Sequence, residues 1–550
     1  MFLLIYIFFG AIHCLRAVCI SFAICRILPT DMSRQKCLFY FCGQKGYETY
    51  MQYQSTRDNT IKVSAAMAIK TGLSAEGGLF VPECFPSVSM AEIEALSSKS
   101  YQERAYFVLS KFLTDFTEEE LLNCINNAYT KEKFGTNAIA PVYKLNDSEY
   151  VLELWHGPTC AFKDMALQIL PHLLTTSMKK TNENDEIVIL VATSGDTGKA
   201  ALEGFKDVKG TRIIVFYPNN GVSEIQKLQM VTQEGDNVAV AAVNGNFDDA
   251  QNGVKKIFTD NEYKALLAQN QFKLSSANSI NWGRLVPQIV YYFSAYADML
   301  KNNEIKAGDS INVVVPTGNF GNILAAYYAK KMGLPIAKFI CASNENNVLT
   351  DFINTGVYNK DRSFHTTISP SMDILISSNL ERFLYDLTGN DDKVVSEWMK
   401  ALNTEGKYEI TAEVKEKLQA LFWADCCDDN ETMETIKKCS DKFDYVIDTH
   451  TAVAKCVYDK YVAKTGDATK TVIASTASPF KFNQSVLIAL KDYEFVVNKD
   501  EFTLLDELSN ASNMEIPKSL AELKNKSVAF DLVCDKDEMP RVVSDFLMVD

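Results

Sequence analysis

The sequence predicts an α/β protein built on parallel sheets, with a helix-rich N-terminal domain ahead of them. From Glu186 onward, short uninterrupted apolar runs alternate with helix-patterned segments, and strands without polar alternation are those buried on both faces of a parallel sheet. Hydrophobic residues make up 47% and charged residues 23%, which excludes wholesale disorder and a multi-span membrane protein. A chain of 550 residues can bury several domains' worth of core, so a single small binding module is excluded too.

Taken in order, Met1 to Pro29 is strongly apolar, with Arg16 and Arg26 its only formal charges. No basic residue precedes the apolar run and Arg16 interrupts any spanning helix of about 20 residues. Residues 1–50 are therefore expected to be an apolar leader or extension outside the folded body, and organelle targeting or membrane attachment through residues 1–29 stays open as the alternative to a cytoplasmic protein. Residues 51–134 read as the helix-rich N-terminal domain, with one extended piece at Gly77 to Val81. The α/β domain is expected over 135–385. Its strands are Tyr150 to Leu154, Ile187 to Val191, Arg212 to Tyr217, Asn237 to Val243, Ile311 to Val315 and Lys338 to Ala342, with helices at Thr197 to Phe205 and Ser223 to Glu234. After Asn281, the residues Leu285, Val286, Ile289, Tyr292, Phe293 and Tyr296 fall on one helical stripe, which predicts a helix with a core-facing side. Residues 386–445 read as a charged helical insertion, 446–495 as a return to the α/β domain, and 496–550 as a C-terminal tail.

Charge and cysteines narrow the function classes. With 55 basic against 70 acidic residues, net charge -15, the chain has no electrostatic footprint for nucleic acid. Five of its 14 cysteines lie in the first 42 residues, no C-x-x-C pair occurs, and Cys426 and Cys427 are adjacent between acidic residues. That pattern predicts a reduced, metal-free body rather than a zinc site or a disulfide framework.

Ligands of a parallel sheet sit at the carboxyl ends of its strands, and three loops there carry chemistry. Thr193-Ser194-Gly195-Asp196-Thr197-Gly198 follows a strand and opens a helix, so its hydroxyls and free helix N–H groups suit a carboxylate or phosphate. It is not a P-loop, since Gly198-Lys199 is followed by Ala200. Gly318-Asn319-Phe320-Gly321-Asn322 offers consecutive N–H groups as an anion nest. The third, His156-Gly157-Pro158-Thr159-Cys160-Ala161-Phe162-Lys163-Asp164, sets Lys163 among apolar neighbours, where burial disfavours the ammonium and leaves a nucleophilic amine. One amine, one phosphate nest and one carboxylate loop are what a pyridoxal 5'-phosphate enzyme needs.

Those loops belong to a wider set: H-G-P-T-x-A-F-K-D, T-S-G-D-T-G, S-A-N-S-I-N-W-G-R, P-T-G-N-F-G-N and S-T-A-S-P-F-K-F, in this order. Together they resemble the threonine synthase family over essentially residues 51–550. The resemblance implies the fold of the pyridoxal-phosphate β-family, fold type II, like the tryptophan synthase β-subunit. It implies Lys163 as the catalytic, Schiff-base lysine, Gly318, Asn319, Phe320, Gly321 and Asn322 as the cofactor phosphate loop, and Thr476 as the hydroxyl at the pyridine nitrogen. Asp196 is implied near the ring's phenolic oxygen, Ser194 and Thr197 near the substrate, and Asn278, Ser279 and Arg284 in the pocket for the substrate's phosphate. Asn322, Ser478 and Thr449 depart from the fungal pattern toward a bacterial one, and His156 and His450 are expected to position loops, with assistance to proton transfer by either as the alternative. The implied reaction converts O-phospho-L-homoserine and water to L-threonine and phosphate, the last step of threonine biosynthesis, in a monomer or homodimer with no nucleic-acid partner and no membrane role for the catalytic body. Two rivals stay open: a phospho-lyase giving 2-oxobutyrate, and a non-catalytic membrane-attached or secreted protein.

Overall fold

The computed structural model describes residues 50–193, 195–219 and 222–549. Nearly all of the expected leader, and Ser194 of the first glycine loop, lie outside these residues. Among the described residues no helix is long and apolar enough to cross a membrane.

Ahead of the sheets, Tyr53–Ser55 (β1), Lys62–Val63 (β2) and Phe80–Pro82 (β3) pair antiparallel in the order β2-β1-β3. The extended piece expected at Gly77 to Val81 is thus β3, displaced toward its apolar end. The remaining strands are β4 (Val142–Lys144), β5 (Glu149–Glu153), β6 (Glu186–Ala192), β7 (Thr211–Pro218), β8 (Val238–Asn244), β9 (Phe272–Ser275), β10 (Ile311–Pro316), β11 (Ile336–Ser343), β12 (Val357–Asn359), β13 (Lys407–Glu409), β14 (Phe422–Cys426), β15 (Thr471–Ser475) and β16 (Val533–Asp535). They build a six-stranded sheet, β14-β11-β10-β15-β5-β4, and a five-stranded sheet, β16-β8-β7-β6-β9. Every pairing in both is parallel except that of β4 with β5. The chain leaves the first sheet after β5, completes most of the second, and returns at β10.

The apolar runs behave as their composition requires. Ile187 to Val191, Ile213 to Phe216 and Val313 to Val315 are buried on both faces, which only a sheet covered by helices on each side allows. The helices that position the site are α1 (Asp196–Phe205), α2 (Glu224–Val231), α3 (Trp282–Lys301), α4 (Gly321–Met332), α5 (Leu380–Leu387), α6 (Asp429–Phe443) and α7 (Thr449–Thr465).

Two expectations change. Helix α3 is buried all round except at Asp298, Leu300 and Lys301, so the stripe read from the sequence is only part of its contact surface. A helix apolar on every side is a central one, and each large side chain it buries contributes about 1.5–3 kcal/mol. The segment 386–445 is not wholly helical either: β14 lies inside it and pairs with β11 from Phe339↔Phe422 to Ser343↔Cys426. A strand of five residues between charged helices is too short to announce itself by period. The tail, in turn, supplies β16 to the edge of the second sheet and packs Cys534, Met539 and Val543 into its core.

Candidate active site

Strands β10, β15 and β5 are neighbours in the six-stranded sheet, and the loops leaving their carboxyl ends carry Gly318, Thr476 and Lys163. The Lys163 loop is fastened to the Thr476 segment by the Phe162 amide, which donates to the Thr476 carbonyl at 2.8 Å, and by a bridge between Ala161 and Ala477. Behind it, Asp164 is fully buried and accepts from the Thr159 amide and hydroxyl, both at 2.8 Å. Burial pushes its carboxyl up to about 7 against those hydrogen bonds.

The amine of Lys163 donates to the Ser371 hydroxyl at 3.2 Å, and that hydroxyl donates to Asp196 Oδ2 at 3.2 Å. Asp196 opens α1, and the amine stands 3.7 Å from the same oxygen. Burial, followed by the nearby cations Lys481 and Arg284, pulls the Lys163 ammonium below the ordinary lysine range, with Asp196 opposing. For Asp196, burial opposes the charge, but Lys481 and Lys163 outweigh it and hold the carboxyl well below the usual range. Its other oxygen, Oδ1, pairs with the fully buried Lys481 at 2.7 Å and accepts from Gln226 at 2.9 Å. Gly195 makes room for that contact: it has φ of 142°, and a Cβ there would sit 2.5 Å from the Gln226 side chain.

Ser371 arrives on a long irregular segment, 360–379, between β12 and α5. Its regular structure is one 3-10 turn, Pro370–Met372, which holds Ser371 itself, and loops this long with so little are uncommon and usually functional. Asn344 pins it, donating to Asp373 Oδ1 at 2.7 Å and to Thr367 at 2.9 Å. The Ser371 amide donates to Nε2 of His450 at 3.1 Å, and the other ring nitrogen faces Asp448 at 3.1 Å. With Nε2 accepting, the ring proton sits on Nδ1 toward Asp448. His450 therefore positions Ser371, the loop-holding role expected of it. His156 bonds Glu153 at 2.7 Å instead.

The anion loop after β10 is built for close approach. A Cβ on Gly318 would lie 2.8 Å from the Ser371 carbonyl. Phe320 has φ of 60° and stands at the head of α4, whose start has no side-chain cap, so its first N–H groups are left for a ligand. The Phe320 ring itself packs against Phe383 and Phe422, with centroids 5.6 and 5.7 Å away. Of this residue, then, only the backbone faces the loop's task. Asn322 accepts from the Tyr292 hydroxyl while its Nδ2, though buried, has no partner among the described residues.

Asn278 and Ser279 lie on the approach to α3, and Arg284 lies in its first turn. Arg284 is buried, donates to the Ala277 carbonyl, and has an unpartnered Nε. No carboxylate among the described residues pairs with it, and burial lowers its guanidinium to about 10. A buried cation without an anion is costly, so this one marks a place for an anionic group. The Asn379 side chain ties this segment to the loop after β10, donating to the Ser279 carbonyl at 3.3 Å and to that of Asn319 at 3.1 Å. Asn278 is exposed and Thr197 half-buried, and neither side chain is tied down by a hydrogen bond within the described residues.

Ser371 and Lys481 were missed by the sequence reading. Lys481 had a usable signal: it is flanked by Phe480 and Phe482, the same apolar setting that singled out Lys163. Ser371 had only the lack of period around it.

Three family profiles match the chain in succession: threonine synthase N terminus over residues 52–129, pyridoxal-phosphate dependent enzyme over 138–412, and threonine synthase, C-terminal, over 451–539. The chain is 43% identical over 443 residues to threonine synthase-like 1 of Homo sapiens, covering 78% of this chain but 59% of that relative's length. To threonine synthase of Schizosaccharomyces pombe it is 37% identical over 513 residues, covering 86% of this chain and 98% of the other. Among solved structures, pyridoxal-phosphate-bound threonine synthase from Brucella melitensis superposes with a TM-score of 0.79 at 34% identity, over 90% of this chain and 98% of that one.

Proposed function

The chain belongs to the threonine synthase family of pyridoxal-phosphate-dependent enzymes, and on that premise we propose that it converts O-phospho-L-homoserine and water to L-threonine and phosphate with pyridoxal 5'-phosphate bound at Lys163. The observation that carries this reading is the pairing of a charge-depressed lysine with two separate anion sites, one at the head of α4 and one around Arg284. A substrate bearing its own phosphate, handled by a cofactor bearing another, calls for two.

The residues present fit the cofactor. Its phosphate would rest on the amides of Gly318 to Asn322, with the unpartnered Nδ2 of Asn322 as a further donor. The Thr476 hydroxyl would meet the ring nitrogen as a neutral partner, and the Asp196 region would flank the ring's oxygen. When bound, pyridoxal phosphate delocalises the negative charge that develops on the substrate's carbon chain.

The protein's own work is proton traffic and orientation. Lys163 Nζ, whose hold on its proton burial weakens, takes the substrate's α-proton and can return protons along the chain. Ser371 and Asp196 fix the direction of that amine. Ser194 and Thr197 are assigned to the substrate's carboxylate, and Asn278, Ser279 and Arg284 to the departing phosphate, for which a planar guanidinium offers two parallel donors. The same proposal includes a monomer or homodimer in the cytoplasm, a location supported by the free thiols of the described residues.

The test is product analysis with phosphohomoserine. Threonine and phosphate in equal amounts are expected, while 2-oxobutyrate with ammonia would transfer the chain to the phospho-lyases. Borohydride reduction should fix the cofactor on the peptide containing Lys163, and labelling of another lysine would overturn that assignment.

A further inference from the structure

Outside the hydrogen-bond network of Lys163, three soft or acidic donors from separate segments converge. Cys427 directly follows β14, Glu431 sits in the first turn of α6, and Cys456 lies midway along α7. The two sulfurs and a carboxylate oxygen all lie within 4.8 Å of one another. Cys427 and Cys456 are buried, at 1% and 8% exposure, whereas the Glu431 side chain remains 42% exposed and opens the cluster to solvent. None of the three touches Lys163, Asp196 or the anion loops.

Lys460, one turn beyond Cys456 on α7, shows what the cluster attracts. Its ammonium bonds Glu431 Oε1 at 2.7 Å and the Cys426 carbonyl at 2.8 Å. A cation is thus already drawn to the mouth of the cluster, on a flexible stem that can withdraw into solvent. The Cys427 sulfur also lies 3.3 Å from the Thr432 hydroxyl and 3.5 Å from the Asp428 carbonyl, so its direction is set by neighbours on the same turn.

We propose that Cys427, Cys456 and Glu431 form a binding site for one thiophilic divalent cation of the zinc class. Tetrahedral zinc, with bonds of about 2.3 Å to sulfur and about 2.0–2.2 Å to oxygen, sets its donors roughly 3.5 to 4 Å apart, within the span of this cluster. A disulfide instead requires the sulfurs to close to about 2.05 Å. Two thiolates with one carboxylate favour zinc or cadmium over magnesium or calcium, and water takes the fourth position from the Glu431 side. On binding, the two thiols release their protons, the metal accepts one electron pair from each sulfur and one from the carboxylate, and Lys460 gives up Glu431. No redox change is involved. The ion would join the end of β14 and the start of α6 to α7, the helix that carries His450.

The experiment uses the full chain loaded with its cofactor, reduced and then freed of reductant, and cadmium as the probe. A sulfur-to-cadmium charge-transfer band is expected, reversed by zinc, with one saturating step lost in Cys456→Ser. Glu431→Gln should weaken that step by about tenfold or more, the scale seen when support around a metal is removed, and Cys439→Ser should leave it unchanged. Because a substitution in a buried cluster can disturb folding, the unaltered protein is also alkylated with and without cadmium. Protection of Cys427 and Cys456 together supports the site. Protection of other cysteines alone, a band that persists in Cys456→Ser, or no saturable band overturns it.

Discussion

The amine of Lys163 and the carboxylate of Asp196 stand 3.7 Å apart, although one follows a strand of the six-stranded sheet and the other a strand of the five-stranded sheet. The Ser371 hydroxyl touches both, and Lys481 holds the far side of the carboxylate. The site is therefore a small charge lattice in which each member sets the state of the next.

Ser371→Ala removes one neutral link of that lattice. The hydroxyl's two hydrogen bonds, to Lys163 and Asp196, are worth about 1 kcal/mol each, so kcat should fall roughly fivefold to thirtyfold. Lys163 should still take up the cofactor, as judged by absorbance and borohydride labelling. Complete loss of cofactor binding would mean that Ser371 holds the fold of segment 360–379 rather than the direction of the amine.

Lys481→Met leaves Asp196 buried with its strongest partner gone. Breaking one side of a buried pair costs about 3–5 kcal/mol, so a large drop in the urea midpoint is expected. Adding Asp196→Asn should restore much of the stability but not the activity. Equal destabilisation in the single and double variants would show that Lys481 acts through packing instead.

Arg284→Ala should raise KM for phosphohomoserine far more than it weakens cofactor binding, by about 2 kcal/mol or more, since a charge-assisted contact to phosphate is lost. Kinetics at saturating cofactor, beside a cofactor titration, separate the two. Loss of cofactor as the main effect would move Arg284 to the other anion site.

Asp164 predicts a pH dependence of stability. Its carboxyl, raised by burial to about 7, keeps its proton in the folded chain where the unfolded chain has already released it. The stability it contributes is complete below the ordinary carboxylate range and is lost as pH rises through about 7. Asp164→Asn should flatten this decline between the ordinary carboxylate range, about pH 4, and about pH 7. Parallel profiles for the two proteins would place the titration elsewhere.

Strands β5, β6, β7, β8, β10 and β11 were legible because continuous apolar runs such as Ile187 to Val191 fit only a doubly covered sheet. Lys163 and the glycine loops were legible because short, ordered motifs carry them. What escaped depends on distance along the chain. β14 is too short for its pattern to compete with the helices around it, and nothing near Ser371 or Lys481 says that both will meet Asp196. Cys427 and Cys456 likewise look unrelated until α7 lies against the end of β14.

Strand β15 lies between β10 and β5, and the Trp155 indole reaches the Ser475 hydroxyl across 320 residues of chain. At about 5–20 residues per second, translation leaves β5 without this neighbour for roughly a quarter of a minute to a minute. Throughout that interval the edge of β5 and the loop holding Lys163 have no partner on that side, which makes the growing polypeptide a client for chaperones. A message cut short before codon 471 would yield no weakened enzyme: its product would have no sheet on which to set the lysine.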